Sequence, residues 1–211
     1  MKKAIIFDND GVLVNTEPLY YRATREMCGQ LGKELSLAEY VDCHIKNSHG
    51  TRAKLGVSDD EYAPLRAWRN ARYAELLASG KHTVPGVPEV IAELTEQFRL
   101  CIVTSSLRTH FDIIHRESRY LRHFEFIISL EDVAQSKPSP EPYLKALSRL
   151  GLVAPECVVV EDSVRGLQSA QSAGVACIVV RSELSSYMDL SSADASIDSI
   201  HDLSRAIRNL L

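Results

Sequence analysis

Five short apolar runs constrain this chain most: AIIF at 4–7, LCIVT at 100–104, FEFIISL at 124–130, CVVVE at 157–161 and ACIVV at 176–180. They are too short for most helices, rich in branched residues and do not alternate polar with apolar, as expected of strands buried on both faces. Helix signals recur between them. Thr109 with Asp112 has the spacing of a capping box, Ser139–Pro140 reads as an N-cap followed by proline at the first helical position, and Gly151 reads as that helix's stop. Strand alternating with helix predicts an α/β fold around a parallel sheet. Residues 16–82 break the rhythm: no comparable apolar run occurs there, while Ser36 with Glu39 and Ser58 with Glu61 mark helix starts. An all-helical insertion is therefore predicted over 16–82, entering after the first strand, returning at VPGVPE (84–89) and hanging over that strand's carboxyl end, with a core made of 1–15 and 83–211. The stretch SSYMDLSSADAS (185–196) is predicted to be an exposed loop.

A length of 211 residues, 45% hydrophobic, with a formal net charge of -4, suits one globular unit with an inserted subdomain. No basic excess invites nucleic acid. The apolar run from Ala4 is cut by Asp8, too soon for a signal peptide or a membrane span, so the expectation is a cytoplasmic protein without membrane contact, and a monomer. Cys28, Cys43, Cys101, Cys157 and Cys177 are odd in number and contain no CxxC pair, which predicts reduced thiols, no disulfide and no zinc. His44 and His49 lack helical metal-ligand spacing and read as surface or core histidines.

Open parallel sheets bind ligands beyond the carboxyl ends of their strands, which directs attention to those ends. The first strand runs into FDNDGVLVNTE (7–17), whose Asp8 and Asp10 would share a face roughly 6 to 7 Å apart, a placement that calls either for a cation or for one retained proton. Gly11 permits the sharp departure that follows. The next strand ends in Thr104 and Ser105, the segment after FEFIISL carries Lys137 in SKPSPEPYLKAL, and CVVVEDS ends in Glu161 and Asp162, with Ser163 placed to cap the following helix. A hydroxyl, a lysine and two pairs of carboxylates are the ingredients of a magnesium and phosphate site.

These four motifs, in this order, resemble the haloacid dehalogenase (HAD) superfamily, in its subgroup of phosphatases and beta-phosphoglucomutase-like enzymes with a helical cap. The likeness covers nearly the whole chain and implies a Rossmann-like core. It further implies that Asp8 is the nucleophile forming an aspartyl-phosphate and that Asp10 is general acid, then base. Magnesium would be held by the Asp8 carboxylate, the Asp10 backbone carbonyl and Asp162, with Glu161 as a direct or water-mediated ligand. Thr104, the Ser105 amide and Lys137 would bind the transferring phosphoryl group, and Asn9, on the opposite face, has no catalytic part.

Two departures lie in the predicted cap. Related sugar phosphomutases carry a histidine where this chain has Tyr20 and an arginine near His49; tyrosine, with an unperturbed pKa of about 10, is a poor base near neutrality. Arg52, Arg69 and Arg72 are further candidates for contact with a charged substrate. Asn15 stands at the hinge where the family often has Asp. The expectation is a magnesium-dependent phosphatase of a small phosphorylated metabolite, a sugar phosphate first, with a sugar phosphomutase or a noncatalytic binding protein on the same fold as alternatives.

Overall fold

The structure is a computed structural model and describes residues 2–46, 50–80 and 82–210. The chain begins with β1 (Ala4–Phe7), fully buried, and then leaves the sheet. Helices follow: α1 (Glu17–Gly29), α2 (Leu37–Tyr40), which runs on into a π-helical turn, α3 (Gly50–Leu55) and α4 (Asp59–Leu77). The serines predicted to start two of them do so. Ser36 and Ser58 each accept from the backbone N–H three residues on, and Glu39 and Glu61 reach back to the serine N–H at 2.9 Å. α1 and α4 pack on each other, and Met27, Cys28, Leu35, Tyr40 and Leu55 form a small core of their own.

The chain then alternates as anticipated: α5 (Val87–Leu94), β2 (Arg99–Val103), α6 (Arg108–Ile114), β3 (Ile127–Ile128), α7 (Glu141–Leu150), β4 (Cys157–Glu161), α8 (Val164–Ser172), β5 (Ala176–Val180), β6 (Ala195–Ile197) and α9 (Leu203–Asn209). The six strands form one parallel sheet in the order β3-β2-β1-β4-β5-β6. One of its faces packs Ile6, Cys101, Val103, Val159 and Val179 against Tyr143, Ala146 and Leu147 of α7 and Leu167 and Ala170 of α8. Two compact units result, Met1–Asn15 with Thr83–Leu211, and Thr16–His82.

Three local expectations need correction. The Thr109–Asp112 capping box is not used: α6 starts at Arg108, whose N–H is satisfied by the Glu131 carboxylate at 3.0 and 3.1 Å, a cap from 23 residues away. α7 starts at Glu141 rather than Pro140, although the Ser139 hydroxyl does accept from the Glu141 N–H at 3.3 Å. The 185–196 stretch is an irregular loop only over 188–194, with no buried residue there; it begins inside a 3-10 turn (Glu183–Tyr187) and ends in the start of β6, an edge strand of three residues.

Candidate active site

In this sheet β1 has β2 on one side and β4 on the other, so the strand order reverses at β1, and ligand crevices form beyond the strand ends at such a switch point. Asp8 stays in register by donating its N–H to the Val160 carbonyl at 2.8 Å. The chain then turns tightly on Asn9, whose carbonyl accepts from the N–H groups of Leu13 (2.8 Å) and Val14 (3.1 Å), with Gly11 at φ 80°. That backbone value disfavours side chains, and a Cβ on Gly11 would stand 1.8 Å from Asp162 Oδ2. Glycine is thus what lets the Asp162 carboxylate close on the first loop.

Lys137, buried on the loop before α7, is the hub of the site. Its ammonium donates to Asp8 Oδ1 (2.7 Å), the Val103 carbonyl (2.9 Å) and Glu161 Oε1 (2.6 Å), which uses all three of its protons. Any direct contact with a phosphoryl oxygen therefore requires one of these bonds to be exchanged. Glu161 is fully buried and saturated as well: Oε1 also accepts from the Tyr143 hydroxyl at 2.7 Å, and Oε2 accepts from the Asp162 N–H and the Ser163 hydroxyl, both at 3.1 Å. Ser163 also caps α8 by accepting from the Gly166 N–H at 3.1 Å.

One ammonium between two carboxylates sets the electrostatics. Burial opposes the charge on Lys137, yet Asp8 and Glu161 outweigh it and hold the ammonium above its ordinary range. Burial likewise opposes ionisation of Glu161, but Lys137 prevails and its carboxyl is held below the usual value. Asp8 goes the other way. Burial raises it, Lys137 only partly resists, and the negative charges of Glu161 and Asp10 add to the rise, leaving it pushed up to about 8.

Three donors gather on one oxygen of Asp10. Its Oδ2 accepts from the hydroxyl of Ser106 (2.7 Å), the Asn9 amide Nδ2 (3.3 Å) and, at long range, the Thr104 hydroxyl (3.4 Å). The Thr104 oxygen in turn accepts from the Ser106 N–H at 3.0 Å, while Ser105 is exposed. Asp8, Asp10, Thr104, Lys137, Glu161 and Asp162 thus meet at the carboxyl ends of β1, β2 and β4, as the motifs imply.

Oxygen donors of Asp8, Glu161 and Asp162 lie within 4.8 Å of one another. A hard, oxygen-seeking cation fits this set of three carboxylates, two of which Lys137 bonds directly. With both Glu161 oxygens committed to protein donors, Asp8 and Asp162 are the better direct ligands.

In the helical unit, the Arg69 guanidinium lies 4.7 Å from the centre of the Tyr20 ring, which stacks on His44 at 4.7 Å. Arg69 is buried and donates to Asn70 Oδ1 at 2.8 Å. Arg52 is paired with Asp59 at 2.7 Å, and Arg72 with Glu26 and Glu75 at 2.6 and 2.8 Å. His49 lies outside the described residues.

A family model described as haloacid dehalogenase-like hydrolase matches residues 5–180. The chain belongs to that family. Protein CbbY of Rhodobacter capsulatus is 34% identical over 206 residues, covering 91% of each chain, and hexitol phosphatase B of Escherichia coli is 30% identical over 196 residues, covering 84% of this chain and 82% of its own. Among solved structures, CbbY of Rhodobacter sphaeroides in complex with xylulose-(1,5)bisphosphate superposes with a TM-score of 0.82 at 28% identity, covering 96% of each chain. In this haloacid dehalogenase-like hydrolase, three side-chain contacts at the site have no signal in the sequence. Ser106 stands one residue past the Thr104–Ser105 pair, and only side-chain direction shows that its hydroxyl is the one at Asp10. Tyr143 reads as an ordinary apolar helix position until its hydroxyl is seen on Glu161, and Asn9 reaches a partner, His115, that is 106 residues away.

Proposed function

We propose that this hydrolase is a magnesium-dependent phosphatase of a small phosphorylated metabolite, a sugar phosphate first, working through an aspartyl-phosphate on Asp8. The observation that carries the reading is the convergence of Asp8, held by Lys137, and Asp10, held by Ser106, on one strand-end crevice. Asp8 attacks phosphorus; as its bond to phosphorus forms, the ester bond breaks and Asp10 gives its proton to the leaving oxygen. Water then attacks the same phosphorus while Asp10 takes the water's proton, releasing inorganic phosphate and restoring Asp8. Lys137 orients the nucleophile and offsets its charge, with Glu161 and Tyr143 holding Lys137 in place. Magnesium, held by Asp8, Asp162 and the Asp10 backbone carbonyl, would neutralise charge on the phosphoryl oxygens and keep Asp8 ionised. Thr104 and the Ser105 amide are assigned to the phosphoryl oxygens.

The sugar-phosphate assignment draws on the hexitol phosphatase and on the bisphosphate held by the related CbbY. Tyr20 and Arg69 of the helical unit are assigned to substrate choice. Release of inorganic phosphate from a panel of phosphorylated metabolites, with magnesium and with excess chelator, tests the reading. Magnesium-dependent release with sugar phosphates leading is expected; full turnover in chelator, or primer-dependent isomerisation of beta-glucose 1-phosphate faster than phosphate release, would overturn it.

A further inference from the structure

Asn9 and His115 are polar side chains buried beside the catalytic loop, and nothing in the proposed chemistry uses them. Asn9 is wholly inaccessible and His115 is 5% exposed. They are joined by a bond of 2.7 Å between His115 Nε2 and Asn9 Oδ1. On its far side His115 Nδ1 meets the Ser118 hydroxyl at 3.0 Å and the Tyr120 hydroxyl at 3.4 Å. On its near side the Asn9 amide Nδ2 lies 3.3 Å from Asp10 Oδ2.

The directions of these bonds follow from the chemistry of their ends. Oδ2 of Asp10 already accepts from the Ser106 and Thr104 hydroxyls, and a carboxyl oxygen without a proton only accepts, so the Asn9 atom facing it is the donor Nδ2 and the atom facing His115 is the acceptor Oδ1. His115 Nε2 must therefore carry the proton. Burial holds the imidazole pKa down to about 4, so the ring is neutral near physiological pH and has one donor and one acceptor. Its Nδ1 is the acceptor, filled by the hydroxyl of Ser118. The chain of bonds thus runs one way, from Ser118 through His115 and Asn9 to Asp10.

We infer that Asn9 and His115 are positioning residues that hold the Asp10 carboxylate at the angle needed for proton transfer. The inference rests on the reading of Asp10 as the general acid and base. The Ser106 hydroxyl and the longer Thr104 contact reach Oδ2 from the loop after β2; the Asn9 amide adds a bond to the same oxygen from within the first loop itself, so that the carboxylate is fixed from two segments of the chain. His115 acts one step back. It keeps the Asn9 amide from flipping, since a flipped amide would turn its oxygen toward the carboxylate and its NH2 toward the imidazole N–H. A misaimed general acid slows the step in which the leaving oxygen needs a proton, so the loss should follow the leaving group.

The test uses the full chain with magnesium, comparing an alkyl phosphate with p-nitrophenyl phosphate, whose leaving group needs little protonation. Asn9→Leu and His115→Leu are expected to lower kcat on the alkyl ester by roughly ten- to a hundredfold, with KM within about threefold and a much smaller loss on the aryl ester. His115→Gln, whose amide nitrogen can take the place of Nε2, should recover most of the lost rate. Ser118→Ala, a milder change that covers the case in which the leucine variants fail to fold, should show the same leaving-group bias at smaller size. Equal losses on both esters, or a His115→Gln variant as slow on the alkyl ester as His115→Leu, would overturn the inference. Asp10→Asn is run alongside. If it lacks the leaving-group bias, the reading of Asp10 is at fault and this inference falls with it; if it shows the bias and the relay variants do not, only the relay is wrong.

Discussion

Replacing Gly166 with alanine should destabilise the protein, although the backbone there is helical and alanine is the better helix former. Gly166 lies in the first turn of α8, where Gly→Ala in an open position gains roughly 1 kcal/mol. Here the new Cβ would stand 1.8 Å from Glu161 Cδ and 1.9 and 2.1 Å from its two oxygens. Ordinary carbon contacts need about 3.5 Å, so the carboxylate or the helix must move by well over 1 Å. Glu161 is not a flexible end that can swing aside. It is fixed by Lys137, Tyr143, the Asp162 N–H and Ser163, and displacing it leaves Lys137 buried with Asp8 as its only carboxylate. Breaking a buried pair costs roughly 3 to 5 kcal/mol, which outweighs the helix gain and leaves a net loss of about 2 to 4 kcal/mol. Urea denaturation followed by circular dichroism reads the stability, and phosphate release reads the site, where a loss of at least about a hundredfold is expected. A variant as stable as the parent, or more so, with normal turnover would refute the packing of Glu161 on α8 as the reason for glycine.

The buried imidazole makes a pH prediction. His115 is held down to about 4 from an ordinary 6.5, so the stability it contributes is present above about 6.5 and lost as pH falls through about 4. Across that window roughly 3 kcal/mol should disappear, and His115→Gln should flatten that part of the denaturation profile; an unchanged slope would count against a neutral buried histidine. Asp8 has the opposite sign: raised to about 8 from an ordinary 3.8, its contribution to the stability of the metal-free protein is full below about 3.8 and is lost between there and about 8, and either magnesium or Asp8→Asn should abolish that decline in thermal scans. Gly11→Ala, with φ at 80° and its Cβ 1.8 Å from Asp162 Oδ2, should cost about 1 to 2 kcal/mol and raise the magnesium needed for half-maximal activity at least about tenfold. An unaltered magnesium titration would detach Asp162 from the metal.

What could be read from sequence was what local chemistry determines. β1, β2, β4 and β5 follow from runs of branched residues, and the Ser36, Ser58 and Ser163 caps from a hydroxyl meeting its own helix three residues on. The start of α6 was misplaced because its cap is Glu131, a partner that no local pattern contains. β6 is a three-residue edge strand without an apolar run, and β3 keeps regular pairing only at Ile127–Ile128, although Glu125 and Phe126 already bond to β2. At the site, the residue types and their strand ends were legible. Which oxygen of Asp10 is held, that Lys137 has no spare proton, and that His115 stands behind Asn9 depend on side-chain direction and on contacts across about a hundred residues.

The most direct test of the account is to ask where the phosphoryl group goes. The protein with magnesium and a turned-over sugar phosphate or p-nitrophenyl phosphate is quenched in acid within one turnover, digested, and the peptide carrying residues 7–17 weighed and fragmented. The account predicts the mass of one added phosphoryl group on Asp8, absent from Asp8→Asn and enriched in Asp10→Asn with the aryl ester, where the proton taker of the second step is missing. Turnover with Asp8 unmodified at every quench time, or with the phosphoryl group on another residue, would contradict it.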